Sequence, residues 1–358
     1  MPRSSKFMEK YKTVLVTGGA GFIGSHLIRY LLEKHPDFKA INIDKLTYSG
    51  NQDNLKDITS NSKLSKRHIF VRADIANKSK IESIFKKYNP DYLINLAAET
   101  HVDRSIHIGA KEFIDTNVYG TFVLLEAIKK FGVERAVFVS TDEVYGSLGL
   151  GSKSKFTELT QYQPNVPYSA TKAGGDLLCR AYHFTWHLPI VVTHCSNNYG
   201  PYQYPEKLVP FFTLRALQDQ PLPLYGDGKN IRDWIYVLDH VGGIEAALLN
   251  GKPGQVYNFG ADEEHTNIDI AKIILDMLGK PHSLLTFVKD RPGHDRRYAI
   301  DYKKATKELG WKPKYKFRPM LAKTVRWYLD NKNWIKKIQK KTGIINPHID
   351  LWKPHKLN

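Results

Sequence analysis

The stretch KTVLVTGGAGFIG constrains this chain most tightly. A six-residue strand pattern (Lys12–Thr17) runs into Gly18, Gly21 and Gly24, spaced GxxGxxG, and these open a helix in which Ile23, Leu27, Leu31 and Leu32 recur at helical spacing. A second apolar run, AINID (40–44), follows, so the opening reads as a β-α-β unit. Glycine at such a turn lets the backbone double back and approach a pyrophosphate, which the helix N-terminus stabilises through its free N–H groups and dipole. Asp44 closes the second strand, twenty residues past Gly24. An acid there hydrogen-bonds a ribose hydroxyl and repels a 2′-phosphate, which selects NAD over NADP.

The alternation continues. Strand patterns recur at HIFVRA (68–73), YLINLA (92–97), AVFVST (136–141), PIVVTH (189–194) and QVYNFG (255–260), with helical patterns between most of them. That order predicts an α/β fold, a doubly wound, parallel Rossmann-type sheet. After Asn197 the texture changes to Pro- and Tyr-rich loops with short helices, and amphipathic helix resumes from Asn267. The expected division is a dinucleotide-binding domain at 12–196 and 236–262, an interleaved smaller C-terminal substrate lobe at 197–235 and 263–330, and a basic tail at 331–358. A chain of 358 residues with 42% hydrophobic content can bury such a core.

Other classes are excluded or weakened. The formal charge of +17 favours anionic partners in general, but much of the excess sits in the last 28 residues, which hold seven lysines against Asp350. A solvated lysine-rich surface is the plainer reading, and no nucleic-acid-binding pattern accompanies it. Cys179 and Cys195 have no CxxC or metal-ligand spacing, which points to a reducing, cytoplasmic compartment. No apolar stretch approaches the ~20 residues of a membrane helix. His183 and His187 are four residues apart but lack a third ligand, so no metal is expected.

Two further patterns carry chemistry. PYSATK places Tyr168 and Lys172 four residues apart on one face of a helix introduced by Pro167. Bringing a tyrosine from pKa ~10 to about 7 takes roughly 4 kcal/mol of phenolate stabilisation, which an ammonium and a nicotinamide ring could supply together. STDEVYG then puts two neighbouring carboxylates, Asp142 and Glu143, at the C-terminal end of a buried strand, where open α/β sheets bind ligands. Close carboxylates push each other's pKa values apart, as an acid and a base must. Neighbours on a regular strand face opposite ways, so their convergence requires the strand to have ended.

The GxxGxxG turn with Tyr168 and Lys172 resembles the short-chain dehydrogenase/reductases. From Thr17 to about Asp301 the runs TGGAGFIGSH, DKLTYSGN, RADI, LAAETHVDRSI, STDEVYG, PYSATKA, SNNYGPYQYPEKLVP, YGDGKNIRDWIYVLDH and RPGHDRRYAID appear in order. Together they resemble the nucleotide-sugar 4,6-dehydratases. The resemblance implies a lyase with tightly held NAD and a nucleoside-diphosphate glucose substrate, dTDP-glucose first and UDP-glucose as the alternative. Tyr168, with Lys172, would take the C4 hydroxyl proton, and Thr141 would hydrogen-bond the C4 oxygen. Glu143 would remove the C5 proton and Asp142 would protonate the departing C6 hydroxyl. Matching positions for NAD are Gly18, Gly21, Phe22, Ile23, Gly24, Asp44, Lys45, Leu46, Thr47, Asp74, Ile75, the run Leu96, Ala97, Ala98, Glu99 and Thr100, then Thr116, Tyr168, Lys172 and Asn198. Those for the substrate are Thr100, Thr141, Asn197, Lys207, Leu208, Pro223, Leu224, Tyr225, Arg232, Asn267, His294, Asp295, Arg296, Arg297 and Tyr298, the arginines suiting a diphosphate. Relatives are homodimers built on a helix bundle, here expected from about 109–130 and 169–187. The 4-epimerases lack a need for an elimination pair, and UDP-glucuronate decarboxylases typically have Ser at the place of Asp142. A silent NAD-binding regulator would have lost a catalytic residue, and none is missing.

Overall fold

The computed structural model describes residues 11–342. Strands β1 (Lys12–Thr17), β2 (Phe38–Asp44), β3 (His68–Arg72), β4 (Tyr92–Asn95), β5 (Arg135–Thr141) and β6 (Ile190–Cys195) are followed by three short strands. These are β7 (Asn197–Tyr199), β8 (Leu222–Tyr225) and β9 (Ile231–Tyr236); β10 (Val256–Phe259), β11 (Glu264–Thr266) and β12 (Leu285–Val288) complete the set. One seven-stranded sheet runs in the order β10-β6-β5-β4-β1-β2-β3, and every pairing in it is parallel.

The strand sequences explain the layering. Val14, Leu15 and Val16 of β1, and Ile190, Val191 and Val192 of β6, are buried in succession because helices cover both faces of the sheet. Leu27, Ile28 and Leu31 of the helix Phe22–Lys34 and Val241, Ile244 and Leu248 of the helix Val237–Asn250 fill one face. Phe85, Leu124, Ile128 and Tyr182 fill the other. Each such side chain contributes roughly 1.5–3 kcal/mol on burial. Strand order reverses between β1 and β4, and that switch point places a ligand crevice at the carboxyl ends of the strands.

The lobe above this edge is built from two small sheets, β11-β9-β7 and β8-β12, and the helices Leu208–Leu217, Asn267–Leu278 and Phe317–Asp330. The chain passes into it through β7, returns to the main sheet at β10, and leaves again, so the two parts interleave.

The helix Pro167–Trp186 runs unbroken through the paired Gly174 and Gly175. A Cβ on Gly175 would lie 2.8 Å from the Asn117 carbonyl, so glycine there permits close helix approach. The basic segment from 331 begins as a docked helix, Lys332–Thr342, rather than a solvated tail; the remainder lies outside the described residues. Trp334, Ile335 and Ile338 pack with Tyr204, Leu214 and Tyr328, and Trp334 Nε1 donates to Asn54 Oδ1 at 2.8 Å. Lys341 Nζ donates to the carbonyls of Thr47 (2.8 Å) and Gly50 (2.7 Å), which ties this helix to the loop after β2. Trp334→Ala should therefore cost about 3–5 kcal/mol in denaturant unfolding. A loss below about 1 kcal/mol, within the range of surface substitutions, would show that the docked helix contributes little.

Candidate active site

The glycine turn forms the floor of a cleft of about 300 Å³ at the switch point. Gly18 adopts φ +70°, and a Cβ there would lie 2.7 Å from the Ala97 nitrogen; a Cβ on Gly24 would lie 2.2 Å from the Gly18 carbonyl oxygen. Only glycine fits at either place. No side chain caps the helix Phe22–Lys34 at Gly21, so its first N–H groups are left for a ligand. Asp44 is fixed across the cleft, its carboxylate accepting from the N–H groups of Ala20 (3.0 Å) and Leu46 (2.7 Å). Burial raises its pKa, and those two N–H groups oppose the rise. Free helix donors, a glycine floor and an acid beyond it fit a dinucleotide. Every position named for NAD lines this cleft except Leu46, which sits at φ 59° and serves as the anchor of Asp44.

The strand β5 does end before the carboxylate pair. Asp142–Tyr145 is a 3₁₀ turn capped by Thr141, whose hydroxyl accepts from the Glu143 N–H at 3.3 Å, and both carboxylates line the same cleft. Asp142 Oδ2 and Glu143 Oε2 are buried and have no hydrogen-bond partner. Leaving such acceptors buried and unmatched costs about 1–3 kcal/mol each, so the site is built to receive a donor. Burial, then the neighbouring Glu143, holds the Asp142 pKa well above the usual carboxylate range. Burial also raises Glu143, but Arg291, Arg232 and Lys207 pull it down. The environments thus favour Asp142 as the protonated member and Glu143 as the ionisable one.

Pro167 at the first helical position starts the helix that carries Tyr168 and Lys172, both buried and both in the cleft. Burial and then Glu143 push the Tyr168 phenol well up, and Lys172 Nζ donates to the Val139 carbonyl at 2.8 Å. The phenolate expected from the Tyr/Lys spacing is therefore not favoured by the chain alone.

A second cleft of about 210 Å³ under the lobe shares Glu143, Asn197, Asn198, Gln203, Glu206 and Lys207 with the first, so the two are continuous. Leu208, Pro223, Leu224, Tyr225, Arg232, Asn267, His294 and Tyr298 line it, as named from the sequence. Asp295 stands behind: its carbonyl accepts from Arg232 Nη2 at 2.9 Å, and its carboxylate from Asn165 Nδ2 at 2.6 Å. Arg296 and Arg297 do not line either cleft. Asp227 engages Arg296 through two bonds (3.0 and 2.9 Å), and Glu264 engages Arg297 likewise (2.7 and 2.9 Å).

Sequence reasoning gave no role to Arg291, Asp103 and Glu206, although RPGHDRRYAID, LAAETHVDRSI and PEKLVP contain them. Arg291 Nη1 donates to Asp103 Oδ1 at 3.2 Å, while its Nε is buried without a partner. With Arg232, whose guanidinium stacks 4.1 Å from the Tyr298 ring, it places two cations in the second cleft. Glu206, at the junction, accepts from the Tyr48 hydroxyl at 3.0 Å, and burial pushes its carboxyl up to about 7.

This fold, with a Tyr/Lys pair and a carboxylate pair lining the cleft at its switch point, defines a dinucleotide-dependent enzyme of the short-chain dehydrogenase/reductase type. Residues 15–324 match the family described as GDP-mannose 4,6 dehydratase. The chain is 46% identical over 341 residues to the dTDP-glucose 4,6-dehydratase of Xanthomonas campestris pv. campestris (strain B100), covering 90% of this chain and 95% of that one. Its structure matches that of dTDP-glucose 4,6-dehydratase from Bacillus anthracis in complex with NAD, with TM-score 0.83, 46% identity and coverage of 91% and 99%. It also matches the Streptomyces venezuelae enzyme of the same name with NAD and TYD bound, with TM-score 0.86, 45% identity and the same coverage. The chain belongs to the dTDP-glucose 4,6-dehydratase family.

Proposed function

We propose that this enzyme dehydrates dTDP-glucose to dTDP-4-keto-6-deoxyglucose. The observation that carries the reading is the pair of buried, unpartnered oxygens of Asp142 and Glu143 in the first cleft with Tyr168, Glu143 also facing the second. NAD, which the glycine turn and Asp44 would hold, would supply hydride acceptance at C4, hydride donation at C6 and a positive charge favouring the phenolate.

Tyr168 accepts the C4 hydroxyl proton, and Thr141 holds the C4 oxygen. Once C4 is a ketone the C5 hydrogen is acidic, and Glu143 removes it. Asp142, kept protonated by its surroundings, gives its proton to the departing C6 hydroxyl. Water is lost across C5 and C6; Glu143 then delivers a solvent-exchanged proton to C5 as C6 takes up hydride, and redox state is conserved overall. Arg232 and Arg291 suit the diphosphate of the substrate. Arg291→Met should raise KM about 10- to 100-fold, the loss expected for a charged hydrogen bond, with a smaller change in kcat. An unchanged KM would remove Arg291 from the binding site.

The homodimer is proposed on the exposed apolar side chains of Ile114, Tyr119, Leu177 and Phe184, carried by the 114–120 and 167–186 helical segments. Sedimentation at micromolar concentration should give twice the chain mass, and a single-chain mass would contradict it. Among the described residues no helix is long and apolar enough to cross a membrane, and no His, Cys, Asp or Glu cluster could hold a metal. Both cysteines are free and buried, which supports a reducing, cytoplasmic setting.

Incubation of purified protein with dTDP-glucose and, separately, UDP-glucose, without added cofactor, tests the activity by mass spectrometry. Loss of one water, faster from dTDP-glucose, is expected. No loss from either sugar even after NAD is added would end the reading.

A further inference from the structure

Behind Tyr168 and Lys172 lies a buried polar cluster that the steps above leave unused. Asp176, one turn past Lys172, is buried, and its Oδ2 accepts from Ser140 Oγ at 2.7 Å and lies 3.1 Å from His194 Nε2. His194, on β6, has no solvent exposure; its Nδ1 lies 2.7 Å from the Tyr145 hydroxyl and its Nε2 3.2 Å from that of Tyr162. Ser140 directly precedes Thr141, and Tyr145 ends the turn that carries Asp142 and Glu143. The bond from Lys172 Nζ to the Val139 carbonyl meets the same strand end. The cluster therefore joins the helix bearing the oxidising pair to the strand and turn bearing the eliminating pair.

Counting hydrogens assigns the charge. Asn258 Nδ2 donates to the Phe156 carbonyl at 3.4 Å, which turns Asn258 Oδ1 toward the Tyr145 hydroxyl at 2.9 Å. Tyr145 donates to that oxygen and presents only lone pairs to His194, so Nδ1 carries a hydrogen. Nε2 faces the Asp176 carboxylate, which only accepts, so it carries one too. A ring with both hydrogens is an imidazolium, and a charge so deeply buried persists only when paired. Asp176 also opposes the burial that lowers the Lys172 pKa.

We propose that Asp176 and His194 form a buried carboxylate–imidazolium pair that positions Lys172 and Tyr168 against the Thr141, Asp142 and Glu143 strand end. They are positioning residues: neither lines the clefts. The proposal deepens the dehydratase reading and rests on it for its kinetic consequence.

The test uses NAD holoenzyme labelled with ¹⁵N-histidine, the His194 resonance being assigned by its disappearance in His194→Gln. Both ring nitrogens of His194 should be protonated at neutral pH in the unaltered enzyme. A neutral single tautomer would overturn the pair. In Asp176→Asn, His194 should become neutral and kcat should fall on the order of 10²-fold, the effect of a small misplacement of reacting groups. KM should change little, and Asp176→Glu should recover part of kcat. A folded Asp176→Asn enzyme with unchanged kcat would overturn the positioning role. If Asp176→Asn does not fold, Ser140→Ala breaks the same bond from the strand side, and the kcat and KM split is read there. The nuclear resonance needs no turnover, so an inactive unaltered enzyme would count against the dehydratase reading and not against the pair.

Discussion

Asp142→Asn is expected to oxidise dTDP-glucose at C4 and stop there. The substitution keeps the shape of the side chain and removes the proton that the leaving C6 hydroxyl needs. Burial and the charge of Glu143 hold the Asp142 carboxyl well above its ordinary range, so the native group stays protonated where an ordinary aspartate would be ionised. The sign follows: raising pH through that elevated pKa removes the acid, and the alkaline limb of elimination should belong to Asp142. A positioned general acid contributes on the order of 10²–10⁴-fold, so product formation should fall by that factor. Reduced nicotinamide absorbance should build up on mixing, because the oxidising groups, Thr141, Tyr168 and Lys172, are untouched. Equal loss of oxidation, elimination and NAD binding would show that Asp142 holds the site together rather than acting in it.

Tyr168→Phe should fail one step earlier. The phenol is buried in the cleft, and burial followed by Glu143 holds it neutral in the chain alone. The positive charge of bound NAD would therefore have to help stabilise the phenolate, since Lys172 Nζ is engaged by the Val139 carbonyl. Phenylalanine preserves the packing against Val102, Phe113 and Val166 while deleting the acceptor for the C4 proton. Turnover should drop on the order of 10²–10⁴-fold with no build-up of reduced nicotinamide, and NAD should stay bound. A variant that still reduces its cofactor on mixing with substrate would assign the proton to another group.

These two outcomes differ because the two pairs sit on different elements, and the sequence shows how much of that was legible. The inner strands β1, β4, β5 and β6 announce themselves as nearly continuous apolar runs, since strands covered on both faces have no polar side to alternate with, while β2, β3 and β10 are shorter or interrupted but still apolar-rich. The glycine turn and Asp44 were readable because each demands one residue type for a backbone or charge reason. The Lys332–Thr342 helix was not: its lysines dominate composition, and the three apolar residues that dock it are spread over a single turn and a half. Arg296 and Arg297 looked like diphosphate ligands by residue type, but charge does not reveal partners, and Asp227 and Glu264 are distant in sequence. Arg291 carries no local signal either, because its partner Asp103 lies 188 residues away in the chain. The Asp176 and His194 cluster draws on five separate elements, and no local spacing reports such a contact.

The central claim is that one active site oxidises C4, eliminates across C5 and C6, and conserves redox state. The most direct measurement is turnover of dTDP-glucose carrying deuterium at C4, in ordinary water, with the label located in the product by magnetic resonance. The account predicts that the deuterium moves to C6 within the same sugar, while C5 takes a hydrogen from solvent. Deuterium retained at C4, or lost to solvent with no water eliminated, would contradict it.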